Sequence, residues 1–144
     1  MSLGQRTIVV LAYPDYQELD FWYPVLRGRE EGATVHIVGT PSESILGYPV
    51  IPDTAAADLD PATVDVVVAP GVAPGSSPTA TGEQLALVTA VHGNGGLVAA
   101  VGNGAAVLET AVPTATDRVI KAAGTDDLAT FFGGVRAALA KGLS

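Results

Sequence analysis

The run from Leu97 to Leu108, LVAAVGNGAAVL, does most to limit what this chain can fold into. Its first half is continuously apolar and rich in valine, the pattern of a strand buried on both faces. Its second half, Ala105-Ala106-Val107-Leu108-Glu109, is good helix material. Gly102-Asn103-Gly104 between them leaves room only for a tight turn, so strand passes almost directly into helix. In α/β proteins such a junction lifts a residue to the carboxyl end of the sheet, beside the free N–H groups of the new helix. Hydrolases place a nucleophile at an elbow of this kind, often in strained backbone geometry. Here the elbow carries glycine.

With 144 residues the chain is expected to form one domain, 1–144, large enough to bury a sizeable core. Hydrophobic residues make up 48% and no stretch approaches the length of a membrane span, which points to a soluble globular protein. No basic segment followed by an apolar core opens the chain, so a cytoplasmic location is expected. Met1-Ser2-Leu3 is read as a leader without structural weight. Seven basic against fifteen acidic residues give a net charge of −8, which argues against nucleic acid and against an anionic membrane surface as partners. With no cysteine, disulfides, thiolate catalysis and Cys-ligated metals are excluded. The two histidines, His36 and His92, lie apart and have no ligand spacing, so no metal site is expected.

Taken in order, Thr7–Ala12 reads as the first buried strand and Tyr13–Tyr16 as a turn. A helix from about Asp20 to Glu31 follows, with Asp20 as its N-cap and Pro24 tolerated only within its first turn. Residues 33–39 form a second strand, and 41–53, with Gly47-Tyr48-Pro49 inside, a small hairpin at a sheet edge. A short helical or turn segment spans 54–61. Val64–Ala69 is another buried strand, ending in a loop from Pro70 to Pro78 that is too rich in Pro and Gly to be regular. Thr81 and Glu83 start a helix running to about His92. After the elbow come a short strand at 118–122 and a C-terminal helix at 126–141, whose Leu128, Phe131, Phe132, Val135 and Leu139 recur at helical spacing. Strands alternating with helices predict a parallel sheet covered on both faces.

Several of these stretches, in this order, resemble the DJ-1/PfpI (ThiJ) family. Ile8 to Gly39, with Tyr13-Pro-Asp-Tyr-Gln-Glu-Leu-Asp20 and Tyr23-Pro24, is similar to its opening βαβ unit. Gly47-Tyr-Pro-Val-Ile-Pro-Asp53 is similar to the hairpin that follows. Val64–Gly71 resembles the strand leading to its Pro-Gly-Gly loop, with Val72 in place of the second glycine. Val98–Leu108 resembles its nucleophile elbow. The resemblance implies a three-layer α/β/α flavodoxin-like sandwich with a mostly parallel central sheet and a homodimer; if Trp22 or Tyr23 is exposed rather than core, it implies a dimer contact around the first helix. The family's elbow carries cysteine, usually followed by histidine and glycine; the corresponding positions are Gly102, Asn103 and Gly104. The family's carboxylate beside that cysteine falls on Asp20. The strand and helix that the family normally adds after the elbow are shortened in this chain. Family activities that depend on the thiol (proteolysis, thiol-dependent glyoxalase chemistry, oxidative sensing) are therefore not carried over.

Each candidate residue has a structural and a functional reading. Glycine at 102 relieves the strain the family imposes on its cysteine, or else opens room for a ligand atom. Asp20 either caps a helix or points into the elbow pocket as a general base or ligand acceptor. Gly102-Asn103-Gly104-Ala-Ala approximates a dinucleotide-binding turn, but it lies late in the chain without an acidic ribose partner. Ser76 and Ser77, in the loop facing the elbow, have no neighbouring histidine and make poor nucleophiles. The expected site thus comprises Asp20, Gly71, Val72, Gly102, Asn103 and Gly104, with the N–H groups of Val72 and Asn103 available to an anion or carbonyl oxygen. The first functional expectation is a catalytically degenerate domain that binds a small molecule or a partner and needs no cofactor. The second is a cysteine-independent hydrolase or hydratase in which Asp20 activates water and Asn103 orients the substrate.

Overall fold

Strands whose alternate residues are apolar on both sides must be covered on both sides. In the structure, a computed structural model that describes residues 3–141, five strands form the central sheet, and the three inner ones, from Thr7, Val66 and Leu97, meet this condition. The five are β1 (Thr7–Ala12), β2 (Thr34–Gly39), β5 (Val66–Ala69), β6 (Leu97–Val101) and β7 (Val119–Ala122). They pair in parallel in the order β2-β1-β5-β6-β7. Ile8, Val10, Val66, Val68 and Ala99 face one core, which α1 (Glu18–Glu30) and α4 (Leu128–Ala140) close with Phe21, Val25, Phe131 and Leu139. Val9, Leu11, Val67, Val98 and Ala100 face the other, closed by α2 (Gly82–Gly93) and α3 (Ala105–Ala111) with Leu87, Val91, Val107 and Leu108. The architecture is the expected α/β/α sandwich, and among the described strands its central sheet is parallel throughout.

Chain order reverses between β1 and β5, so the loops leaving these two strands part to opposite faces and open a crevice at their carboxyl ends. The hairpin lies apart from this sheet: β3 (Ser42–Glu43) and β4 (Pro49–Val50) pair antiparallel. Tyr16 bridges it to the Gly71 loop, pairing with Ser44 on one side and Val72 on the other. The segment expected at 54–61 is two 3₁₀ turns, Ala56–Asp58 and Pro61–Thr63.

Three expectations are corrected. The cap of α1 is Gln17, whose side-chain oxygen accepts from Asp20 N at 2.9 Å. Asp20 is the third helical residue, which frees its carboxylate to turn toward the sheet. Pro24 sits inside α1, buried, so the Asp20 carbonyl loses its usual intrahelical donor. Leu3 is core rather than leader: it is fully buried and its N–H bonds to Glu31 O at 3.1 Å. Met1 and Ser2 lie outside the described residues.

Candidate functional site

Four chain segments converge at the carboxyl end of the sheet: the start of α1, the loop after β5, the turn after β6 and the loop after β7. Gly71 stands where they meet. A Cβ there would lie 2.6 Å from Asp20 Oδ2, 3.1 Å from Val101 O and 3.2 Å from Asn103 Oδ1. Only glycine lets three groups from separate elements close to this distance. Asp20, Gly71, Gly102, Asn103 and Gly104 are therefore brought together, with Val72 beside them.

The two elbow glycines answer different demands. Gly102 has φ +56°, the left-handed region that costs an L side chain energy. Space is open there, since an added Cβ would meet only Ala123 O, at 3.9 Å. Gly104 has ordinary helical dihedrals, but a Cβ on it would come within 2.4 Å of Ala69 O and 2.6 Å of Pro70 O. Its role is to let the start of α3 lie against the end of β5. This accounts for the dinucleotide-like pattern by packing alone.

Asn103 holds the Gly71 loop. Its Oδ1 accepts from Val72 N at 2.7 Å, and its Nδ2 donates to Val72 O at 3.3 Å, Ala73 O at 3.4 Å and Ser76 O at 3.2 Å. The expectation that the Val72 N–H is available to an anion or carbonyl oxygen is thereby corrected: an internal acceptor already occupies it.

Asp20 is 3% exposed. Its Oδ2 accepts from Gly71 N at 3.2 Å and its Oδ1 from the Thr125 hydroxyl at 2.7 Å. Burial pushes its carboxyl above the usual carboxylate range, and the bonds from Thr125 and Gly71 work in the opposite direction. Tyr13, fully buried, donates to Pro70 O at 2.6 Å; burial first and the Asp20 charge second raise its phenol above the ordinary tyrosine value. Nothing in the local sequence marks Thr125 or Tyr13 as part of this cluster. Thr125 follows β7, more than a hundred residues from Asp20, and only the sheet order brings them together.

The remaining candidates lie elsewhere. His36 Nδ1 is 3.0 Å from Thr54 Oγ1 on the outer edge of β2. His92, in the last turn of α2, has Nε2 2.9 Å from Asp117 O. Ser76 and Ser77 are exposed, and Ser76 meets the elbow through its backbone carbonyl. Among the described residues there is no group of three His, Cys, Asp or Glu side chains able to hold a metal ion, and no helix is long and apolar enough to cross a membrane.

Comparison with known proteins gives one consistent picture. No curated protein matches this chain in sequence. Among solved structures, an oxidized DJ-1 from Toxoplasma gondii superposes with a TM-score of 0.79 at 17% identity, covering 96% of this chain and 95% of that one. A ThiJ/PfpI family protein from Pseudomonas syringae gives 0.75 at 22% identity, covering 95% and 70%. A two-domain protein from Anabaena variabilis, with DJ-1/ThiJ/PfpI-like and ferritin-like domains, gives 0.78 at 17% identity; 93% of this chain is covered, but it spans only 48% of that protein. These likenesses concern the fold. The DJ-1/PfpI family model matches residues 6–125, which takes in every strand of the sheet and the whole elbow, and the chain belongs to the DJ-1/PfpI family.

Proposed function

We propose that this chain is a catalytically degenerate member of its family that works by binding, either a small molecule or a protein partner, and that it assembles as a homodimer. The observation that carries this reading is the Asn103 side chain. At the elbow, beside the position of the family's nucleophile, its amide is spent on fastening one loop, Oδ1 accepting from Val72 N and the two Nδ2 hydrogens shared among three backbone carbonyls. Gly102 supplies no reactive atom. Asp20, the carboxylate of the cluster, is buried with both oxygens engaged, which speaks against its activating water for hydrolysis or hydration. Support for the dimer is the exposed apolar surface of α1 and the hairpin, where Leu19 is 56% and Leu46 73% exposed.

Native mass spectrometry of the purified protein, followed by a panel of amide, ester and aldehyde substrates, tests both halves. The reading expects a dimer, with or without a retained small molecule, and no turnover above an Asp20→Asn control. Turnover that disappears in Asp20→Asn would replace it with the hydrolase or hydratase reading.

A further inference from the structure

A trough separate from the elbow runs along the outer side of α2. Its larger compartment, about 280 Å³, lies between the two 3₁₀ turns, which contribute Ala56 and Pro61, and the helix, which contributes Ala86, Leu87 and Ala90. These helical positions recur three to four apart and so share one face. Alanine at most of them is what leaves the gap, while buried Leu87 forms its floor. A second compartment of about 90 Å³ continues to the carboxyl end of β2, where Thr40 and Thr81 lie near the Gln84 amide. Ala56 and Glu83 line both compartments, so Glu83 stands at their junction.

The frame is fixed. Gln84 Nε2 donates to Ala12 O at 2.8 Å and Val38 O at 2.9 Å, and its Oε1 accepts from Thr81 N at 2.9 Å. On the opposite wall, Asp60 caps the second turn through Ala62 N at 3.0 Å. Glu83 is the one charged side chain lining either compartment, and among the described residues it enters no ion pair. Apolar walls meeting a single unpaired carboxylate, on a chain of net charge −8, select a cation with an apolar body and repel anions. The main compartment lies at the small end of ligand-site volumes, about 300 Å³.

We propose that this trough binds small organic amines, with an alkyl or aryl body against Ala86 and Ala90 and the ammonium donating to Glu83. It stands apart from the elbow, so it holds whether or not the elbow is catalytic.

The test is a titration of the isotope-labelled full chain with 2-phenylethylamine, followed by amide NMR shifts. The expected result is saturable shifts confined to residues 56–61 and 83–90. Glu83→Gln, a change at an exposed position, weakens binding about fivefold or more. Ala90→Phe fills the compartment and abolishes the shifts, and 3-phenylpropionate, which carries the same ring on a carboxylate, gives none. Any of four results overturns the proposal: shifts that do not saturate, shifts undiminished in Glu83→Gln, equal shifts with 3-phenylpropionate, or shifts centred on Gly102. Concentration-dependent shifts of the same residues without ligand also overturn it, because a second copy of the chain would then fill the trough.

Discussion

At the elbow, two glycines separated by one residue respond in opposite ways to the same substitution. Gly102→Ala meets open space and costs only the left-handed backbone strain, about 1 kcal/mol. Gly104→Ala drives a methyl into two backbone carbonyls that cannot step aside, and costs about 3 kcal/mol. Urea denaturation of the pair checks this ranking, and equal losses would refute the packing account of Gly104. Asp20 and Glu18, two residues apart, have opposite pH signatures. Burial works against the Glu18 carboxylate, but bonds from Ser44 and from Leu46 N–H outweigh it and hold its pKa below the usual range. Its stabilisation is present above the ordinary carboxylate pKa and is lost as pH falls. Asp20 is shifted upward, so the folded protein holds that proton where the unfolded chain has released it. Stability from Asp20 is therefore full below the ordinary carboxylate pKa and declines as pH rises through the window up to its raised value. Asp20→Asn removes that decline, since an Asn oxygen still accepts from Gly71 and the Thr125 hydroxyl can turn to accept from its amide. Melting temperatures of wild type and variant between pH 4 and pH 8 should therefore shift in the variant's favour as pH rises; parallel curves would show that the Asp20 pKa is unshifted.

The elements form where local pattern and tertiary demand agree. β1 spans Thr7–Ala12 as its apolar run requires, and α2 starts at the Thr81 cap, whose capping box with Gln84 is complete. Gln84 also reaches beyond its helix to the Ala12 carbonyl ending β1 and the Val38 carbonyl near the end of β2, a role with no sequence signal because these partners precede it by 72 and 46 residues. Gln84→Ala should cost about 2 kcal/mol or more, since two buried carbonyls lose their donor, and hydrogen exchange should show α2 opening first. α1 was the element whose start was least legible. Asp20 has the chemistry of an N-cap, but glutamine at 17 caps instead, and α1 is long enough around buried Pro24 for packing to override the missing hydrogen bond. The same pattern holds at the site. Gly102, Asn103 and Gly104 were legible because they sit in a strand–turn–helix run, and Asp20 through the resemblance to the family. The closing groups Thr125 and Tyr13, and the use of Asn103 as a clasp, were not, because they depend on which strands become neighbours.

On the scale of the molecule, charge and apolar exposure pull in different directions. A chain of net charge −8 repels its own copies, yet it exposes large apolar side chains on neighbouring elements. Leu19 and Leu26, seven residues apart, share one side of α1, and the Leu46 N–H is fastened to Glu18 Oε2 at 2.8 Å, which sets the hairpin tip beside the start of that helix. Leu46 and Tyr48 then extend the apolar area across the hairpin, in the region where the proposed dimer makes its contact. The two tendencies make separable predictions for sedimentation equilibrium. Burying this surface against a second copy gives an association that tightens with salt, because screening removes the like-charge repulsion and leaves the apolar contact intact. Leu46→Asp, at an exposed position that disturbs no core contact, should leave the melting temperature of the separated chain unchanged and shift the protein to monomer at concentrations where wild type is dimeric. A wild type that stays monomeric at high salt would remove the homodimer from the proposal. The binding reading would then rest on a small molecule or on a different protein chain.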